Sequence, residues 1–378
     1  MAHVEAPSAS VQPSETHSHD PGTAVPASAP LREGERFQTV GLPGASYEPS
    51  APNSGTDDYR CFLLDPGLIK DTTLTGVQVQ PGNAQIVHHA ILYRVEPSQV
   101  PAAQRLDSES AGTGWTCFGG TLIPSPAGQN ATSQLDDAPW LAAWAPGAKE
   151  TTYTPGSGVP LTAGTMIVLQ MHYNLLGGSG PDSSKVQIRL NDTAKHVTAI
   201  HTMLFPGPVE LPCLDTEKGQ LCDREQAVTD VITRFGYQAG ATIAGLQVLC
   251  GGNPLAPRSG SVQTCSRPVM EPTQIWAAAG HMHLLGKSIS IDINPGTPQA
   301  RTVLDIPQWN FDDQGAKPLA EPVLLQTGDK VRVRCTHDAA LRSILPALKK
   351  APPRYVVWGE GTTDEMCLGL LIVTHPKS

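Results

Sequence analysis

Short runs of alternating polar and apolar residues, closed off by glycine- and proline-rich turns, constrain this chain more than any other feature. KVQIRL (185–190), KSISIDI (287–293) and KVRVRC (330–335) alternate with the two-residue period of half-buried strands. TMIVLQMHYN (165–174) and RYVVWGE (354–360) are apolar almost throughout, the pattern of strands covered on both faces. GLPG, QPGN, SPAG, TPGSG, FPGP and NPGTP supply the turns, drawing on 36 glycines and 35 prolines. Helix-forming stretches are scarce. Two short helices are expected near PSQVPAAQRL and HDAALRSIL.

These patterns predict an all-β protein of two antiparallel β-sandwich, jelly-roll-like domains. At 378 residues the chain is long enough for two cores. Residues 1–34 are rich in Ala, Pro and Ser, and are expected to be a disordered tail. The first domain is placed at 35–190 and the second at 191–378, with NDTAKH (191–196) as the hinge. His17 and His19 form an H-x-H pair within the tail, where a solvated segment is expected instead of a metal site.

The net charge of −9, with no basic patch, argues against nucleic acid as a partner. No apolar run reaches the roughly 18 residues of a transmembrane helix. The first 22 residues lack the apolar core of a secretory signal. The eight cysteines form no C-x-x-C pair, which suits disulfides in an oxidising compartment and points to export. Any signal would then have been trimmed or lie outside this stretch. Short loop lengths suggest the pairs Cys213–Cys222 and Cys250–Cys265. Asn130 and Asn191 sit in N-x-S/T sequons, meaningful only on a eukaryotic secretory route.

The histidines carry the chemistry. His281 and His283, in AAGHMHLLG, are two apart, so a strand would present both imidazoles on one face. His172, in VLQMHYN, shares a face with Val168, Gln170 and Asn174, while Ile167, Leu169, Met171 and Tyr173 line the other. His88 and His89 are adjacent in AQIVHHAILYRV, and a regular pleat would send them to opposite faces. If both hold one metal, the strand must bulge or twist there. A single histidine on an apolar strand is most often a satisfied core residue. Five in three such strands cost desolvation unless each finds a partner, and a metal satisfies several at once. Zinc, copper, iron and nickel all accept such ligands; a thioether such as Met366, in GTTDEMCLGLL, turns the choice toward copper. By itself, Met366 reads as a core methionine. His196, His201 and His337 are expected to be structural or surface residues; Asp364 and Glu365 could support a ligand or cap a loop.

Taken in order, HH in a strand, LAAWAPGAKE (141–150), QMHY, HMHLLG and TTDEMC resemble the copper type II, ascorbate-dependent monooxygenases. That family includes peptidylglycine α-hydroxylating monooxygenase and dopamine β-hydroxylase, and the resemblance spans roughly residues 35–375. It implies two coppers per chain. His88, His89 and His172 would hold the electron-storing one; His281, His283 and Met366 would hold the one where O₂ and substrate react. It also implies supporting roles for Gln170 and Tyr59, and the disulfides Cys61–Cys117 and Cys335–Cys367. The implied reaction hydroxylates a C–H bond, placing one oxygen atom of O₂ in the substrate and the other in water, with two electrons from ascorbate or a similar reductant. The family's peptide-binding arginine and tyrosine are replaced here by Ala279 and Leu370, so a substrate carboxylate would lack its partners. A small neutral or apolar substrate is expected instead. A non-catalytic copper carrier of the same fold and a zinc hydrolase are the competing readings.

Overall fold

The computed structural model describes residues 26–376, apart from 53, 54, 127, 130, 147, 177, 194–196, 312 and 350. His17, His19, Asn130 and His196 lie outside the described residues, as do residues 1–25 of the expected tail and residues 194–196 of the expected hinge. The chain is mostly β. Strands and helices are numbered in chain order.

Two larger sheets come from the first half. One runs β1 (Glu35–Gly41), β10 (Lys185–Asn191), β3 (Thr72–Gln80), β8 (Ser157–Leu161), β11 (Thr198–Ala199), with β7 (Thr151–Thr152) also on β3. The other runs β5 (Trp115–Thr116), β2 (Asp57–Leu64), β9 (Met166–Asn174), β4 (Val87–Val95), β6 (Trp140–Trp144). One apolar cluster joins them, with Val77, Val186 and Ile188 from the first sheet meeting Phe62, Leu92 and Leu169 from the second. The alternation expected for β9 holds, since Ile167, Leu169, Met171 and Tyr173 all point into this cluster.

The second half contributes two four-stranded sheets. One is β12 (His201–Pro206), β21 (Leu368–Thr374), β15 (Thr273–His281), β18 (Lys317–Leu325); the other is β14 (Val262–Pro268), β19 (Lys330–His337), β16 (Gly286–Ile293), β17 (Arg301–Ile306). A short pair, β13 (Glu210–Leu211) and β20 (Val356–Val357), completes the strands. Ile275, Leu371 and Val373 of the one sheet share a core with Ile289, Ile291 and Val333 of the other. The approach is close: a Cβ added at Gly280 would sit 2.8 Å from Ile289, and one at Gly369 2.9 Å from Ile291.

Three sequence expectations need correction. RYVVWGE yields only the two-residue β20, because Arg354 turns into ion pairs with Asp230 and Asp364 instead of continuing a ladder. The last residues of the expected tail, 26–34, are tied down. Buried Arg189 donates to the carbonyls of Ala29 and Pro30, and Ser28 hydrogen-bonds Gln78 and Gln187. Helices are also more extensive than expected. Beside α1 (Val100–Glu109) and α5 (Leu341–Ile344), near the two expected places, stand α2 (Ala131–Asp136), α3 (Arg224–Phe235) and α4 (Tyr237–Leu249). In α3 the Asp223 carboxylate caps the start by accepting from the Gln226 N–H, while Ala227, Val231 and Phe235 recur every four residues on the buried face.

All four disulfides form with the expected partners: Cys61–Cys117, Cys213–Cys222, Cys250–Cys265 and Cys335–Cys367. They fit an oxidising environment. Cys335–Cys367 ties β19 to the residue before β21, next to Met366. Cys61 and Cys117 are 56 residues apart, so opening that loop by replacing both with alanine is expected to cost about 4 kcal/mol, read by guanidinium unfolding. No helix among the described residues is long and apolar enough to cross a membrane.

Candidate metal centre and cavity

β9 places His172 at the centre of its sheet, with Tyr59 of β2 opposite on one side and His89 of β4 on the other. The expected irregularity is present: the β4–β9 register shifts between Val87 and His89. That bulge turns His88 and His89 toward one point. The Nδ1 atoms of His88, His89 and His172 lie 3.0–3.3 Å from one another. Nitrogens about 2.0–2.1 Å from a tetrahedrally bound ion stand roughly 3.3 Å apart, so the cradle matches a first-row metal. Among the described residues, this trio is the convergent group of potential ligands.

The proton positions suit ligation. His172 Nε2 is 2.8 Å from Asp57 Oδ1, and a carboxylate only accepts, so the proton sits on Nε2 and the Nδ1 lone pair faces the other two rings. Tyr59 stacks on His172 at 4.1 Å and donates its hydroxyl to the Glu360 carbonyl. Although burial acts to raise it, the hydrogen bonds from His172 and Thr362 hold the Asp57 carboxyl down to about 2. Burial pushes His89 well below 6.5, with the neighbouring imidazoles adding to it, and lowers His172 against the opposing pull of Asp57. Neutral imidazoles are the form that binds metal.

His281 and His283 do not join the trio, and they present the other ring nitrogen. His283 Nδ1 faces the Asp364 carbonyl at 3.1 Å and so carries the proton; its Nε2 is buried without a partner. Gln314 Nε2 donates to the Phe311 carbonyl, which turns its Oε1 to His281 Nδ1 at 2.6 Å. His281 therefore has Nε2 free to ligate. Burial, then the adjacent His283, pushes His281 down to about 3. The two rings are 5.2 Å apart, and His281 approaches His89 at 5.8 Å, so the two sets meet ring to ring. Met366 is buried and lines the same cavity as His89 and His281; its carbonyl accepts from His337. Glu365 accepts the N–H groups of His283 and Leu285, and Asp364 accepts from Gly361 and pairs with Arg234 and Arg354. Gln170 is anchored beside a disulfide through the Cys117 carbonyl at 2.8 Å and accepts from Tyr93.

Several residues around the site were not singled out in the sequence. Asp57 bridges the halves, accepting also from the Thr362 hydroxyl and N–H. Trp309, Phe311 and Gln314 touch both histidine sets: Phe311 stacks on His88 at 4.6 Å, Trp309 donates to the His283 carbonyl, and Gln314 holds His281. His337 was expected to be structural or exposed; it is buried against Glu365 and the Met366 carbonyl. His201 is partly exposed and pairs with Asp137.

A cavity of about 1420 Å³ opens onto His89, His281 and Met366. Ala279 and Leu370 face each other across β15 and β21 and both line it. Half-buried Glu360 also lines it, and burial, then the charge of Asp364, pushes its carboxyl up to about 7. The folded chain thus holds a proton that the unfolded chain releases near 4.5, and stability falls as pH rises between those values. Glu360→Gln is expected to remove that slope and to gain about 3 kcal/mol at pH 8 and nothing at pH 4, read by urea unfolding at both.

No family model matches the chain, and no curated protein does. Likenesses to solved structures are faint. An allantoicase matches at 10% identity over 91% of this chain and 90% of that one, TM-score 0.20. A fucolectin from striped bass (Morone saxatilis) serum matches at 7% over 91% and 97%, TM-score 0.17. The VP2 subviral particle of infectious bursal disease virus matches at 8% over 93% and 75%, TM-score 0.20. At such scores they carry no weight for fold or function.

Proposed function

We propose that the chain is a copper-dependent monooxygenase of the ascorbate-dependent type, hydroxylating a C–H bond of a neutral or apolar substrate. The observation that carries this reading is a three-Nδ1 cradle set ring to ring against His281 and its neighbour His283, which present Nε2, with His89, His281 and Met366 lining one cavity. His88, His89 and His172 would hold one copper; His281, His283 and Met366 would hold the other. Copper there would supply one-electron storage at each site and reduction of O₂, with ascorbate or a similar donor as the electron source. Three protein ligands leave a position open for a small molecule. The chain's own groups fix the ligand tautomers: Asp57 at His172, Gln314 at His281, and the Asp364 carbonyl at His283. Ala279 and Leu370 offer no partner to a substrate carboxylate, which disfavours peptidylglycine.

The finer architecture belongs to the same reading: two antiparallel sandwiches, 35–190 and 191–378, exported to an oxidising compartment. Two apolar clusters, each fed by two facing sheets, support it. A four-bladed, propeller-like arrangement of the four larger sheets is the rival description, and the four separate sheets favour it.

Metal analysis tests the function first. Two coppers per chain are expected, with ascorbate-dependent oxygen uptake that Met366→Ala abolishes while His88, His89 and His172 keep their copper. One zinc and no copper overturns the reading. Two coppers with no oxygen uptake leave a carrier.

A further inference from the structure

The cavity is larger than its proposed chemistry needs. Pockets for drug-sized ligands span roughly 300–1,000 Å³, and this one reaches about 1420 Å³. Four of the six tryptophans, Trp140, Trp144, Trp276 and Trp358, line it together with Phe118 and Phe235. Four of its six charged residues are paired within the protein, Arg94 with Glu96, Glu150 with Arg189 and Asp137 with His201; Lys149, which is exposed, and Glu360 are the other two. A charged ligand would give up water for a largely apolar wall. Ring faces, in contrast, suit a wall of aromatic side chains.

One wall comes from α4, which the alternating strand patterns did not foreshadow. Ala241, Gly245 and Leu249 line the cavity from this helix. Its sequence, YQAGATIAGLQVL, carries no charged residue, and Tyr237 and Val248 stand 76% and 65% exposed. A helix with so little polar surface is ordinarily buried; here it forms an apolar border to an apolar cavity. A Cβ at Gly245 would meet nothing within 4 Å, so a side chain there projects into open space.

We infer that the cavity binds a bulky, uncharged, ring-bearing apolar molecule, and that α4 sets the size of what enters. The inference rests on the oxygenase reading in taking this molecule as the substrate presented to His281 and Met366; the binding itself does not need copper.

Fluorescence titration of the metal-free full chain tests it, with neutral N-phenyl-1-naphthylamine as the probe and anionic 8-anilinonaphthalene-1-sulfonate as its charged counterpart. Saturable binding of the neutral probe is expected, with energy transfer from the wall tryptophans, and at least tenfold weaker binding of the sulfonate. Gly245→Trp and Ala241→Phe should each weaken the neutral probe at least tenfold, with near-UV circular dichroism unchanged. Ile69→Gln, at a residue 93% exposed, should leave binding as it is. Absence of saturable binding, equal binding of the sulfonate, or undiminished binding in both wall variants overturns the inference. Should both variants lose their fold, energy transfer in the parent chain decides, and its absence overturns it. A chain that binds the probe but takes no copper defeats the oxygenase reading alone; one that takes two coppers but no probe defeats this inference alone.

Discussion

Asp57→Ala is expected to destabilise the protein by about 3–5 kcal/mol and to weaken copper binding by His88, His89 and His172 about 10- to 100-fold. The Asp57 carboxylate accepts from His172 Nε2 at 2.8 Å, the Thr362 hydroxyl at 2.6 Å and the Thr362 N–H at 3.3 Å. Removing it strands these three donors and the Thr56 hydroxyl, which also donates to it, and frees the His172 tautomer. Urea unfolding gives the first effect and copper titration the second. Full-strength copper binding alongside the stability loss would show that the carboxylate joins the halves without tuning the metal ligand. Asp57→Asn keeps one acceptor oxygen and should fall between the two.

Glu365→Ala is expected to cost a similar 3–5 kcal/mol and to release copper from His281, His283 and Met366 while sparing the other site. The carboxylate is fully buried and accepts the N–H groups of His283 at 2.9 Å and Leu285 at 2.5 Å, with His337 Nε2 at 3.3 Å. It fixes the turn carrying His283 to the residue next to Met366. Burial acts to raise its pKa, but the His337 hydrogen bond and charge bring it below the usual 4.5. The stability it contributes is therefore present above 4.5 and lost as pH falls through the lower folded value. Copper counts in the variant, with unfolding at pH 7 and pH 3, check both statements. Loss of both coppers together would mean that the two sites do not form independently.

Where local chemistry is strong, the sequence is enough. The alternation in KVQIRL, KSISIDI and KVRVRC became β10, β16 and β19 because one face of each meets a core and every second residue must be apolar. The doubled histidine at 88–89 demanded an irregular strand if its rings were to converge, and the register breaks there. The α3 helix was also legible in principle, since Asp223 stands three residues before Gln226 and apolar residues recur at 227, 231 and 235.

Most of the groups that hold the candidate ligands were not legible. Asp57 lies 115 residues from His172 and Gln314 lies 33 from His281; Glu365 stood out for its place beside Met366, but not for the N–H of His283 that it accepts 82 residues away. An acid or amide in a polar run gives no local sign of which imidazole it will face. By itself the sequence determined the β architecture, the two short-loop cysteine pairs and the set of candidate ligands, because periodicity, loop length and donor type are local properties; the pairs Cys61–Cys117 and Cys335–Cys367 were implied by the family resemblance alone. Tertiary structure alone decided which ring nitrogen each histidine presents, how the halves are joined through Asp57 and Tyr59, and that α4 closes an aromatic cavity. Those depend on where distant backbone segments come to rest, and buried hydrogen bonds become choices only once folding has brought their partners within 3 Å or so.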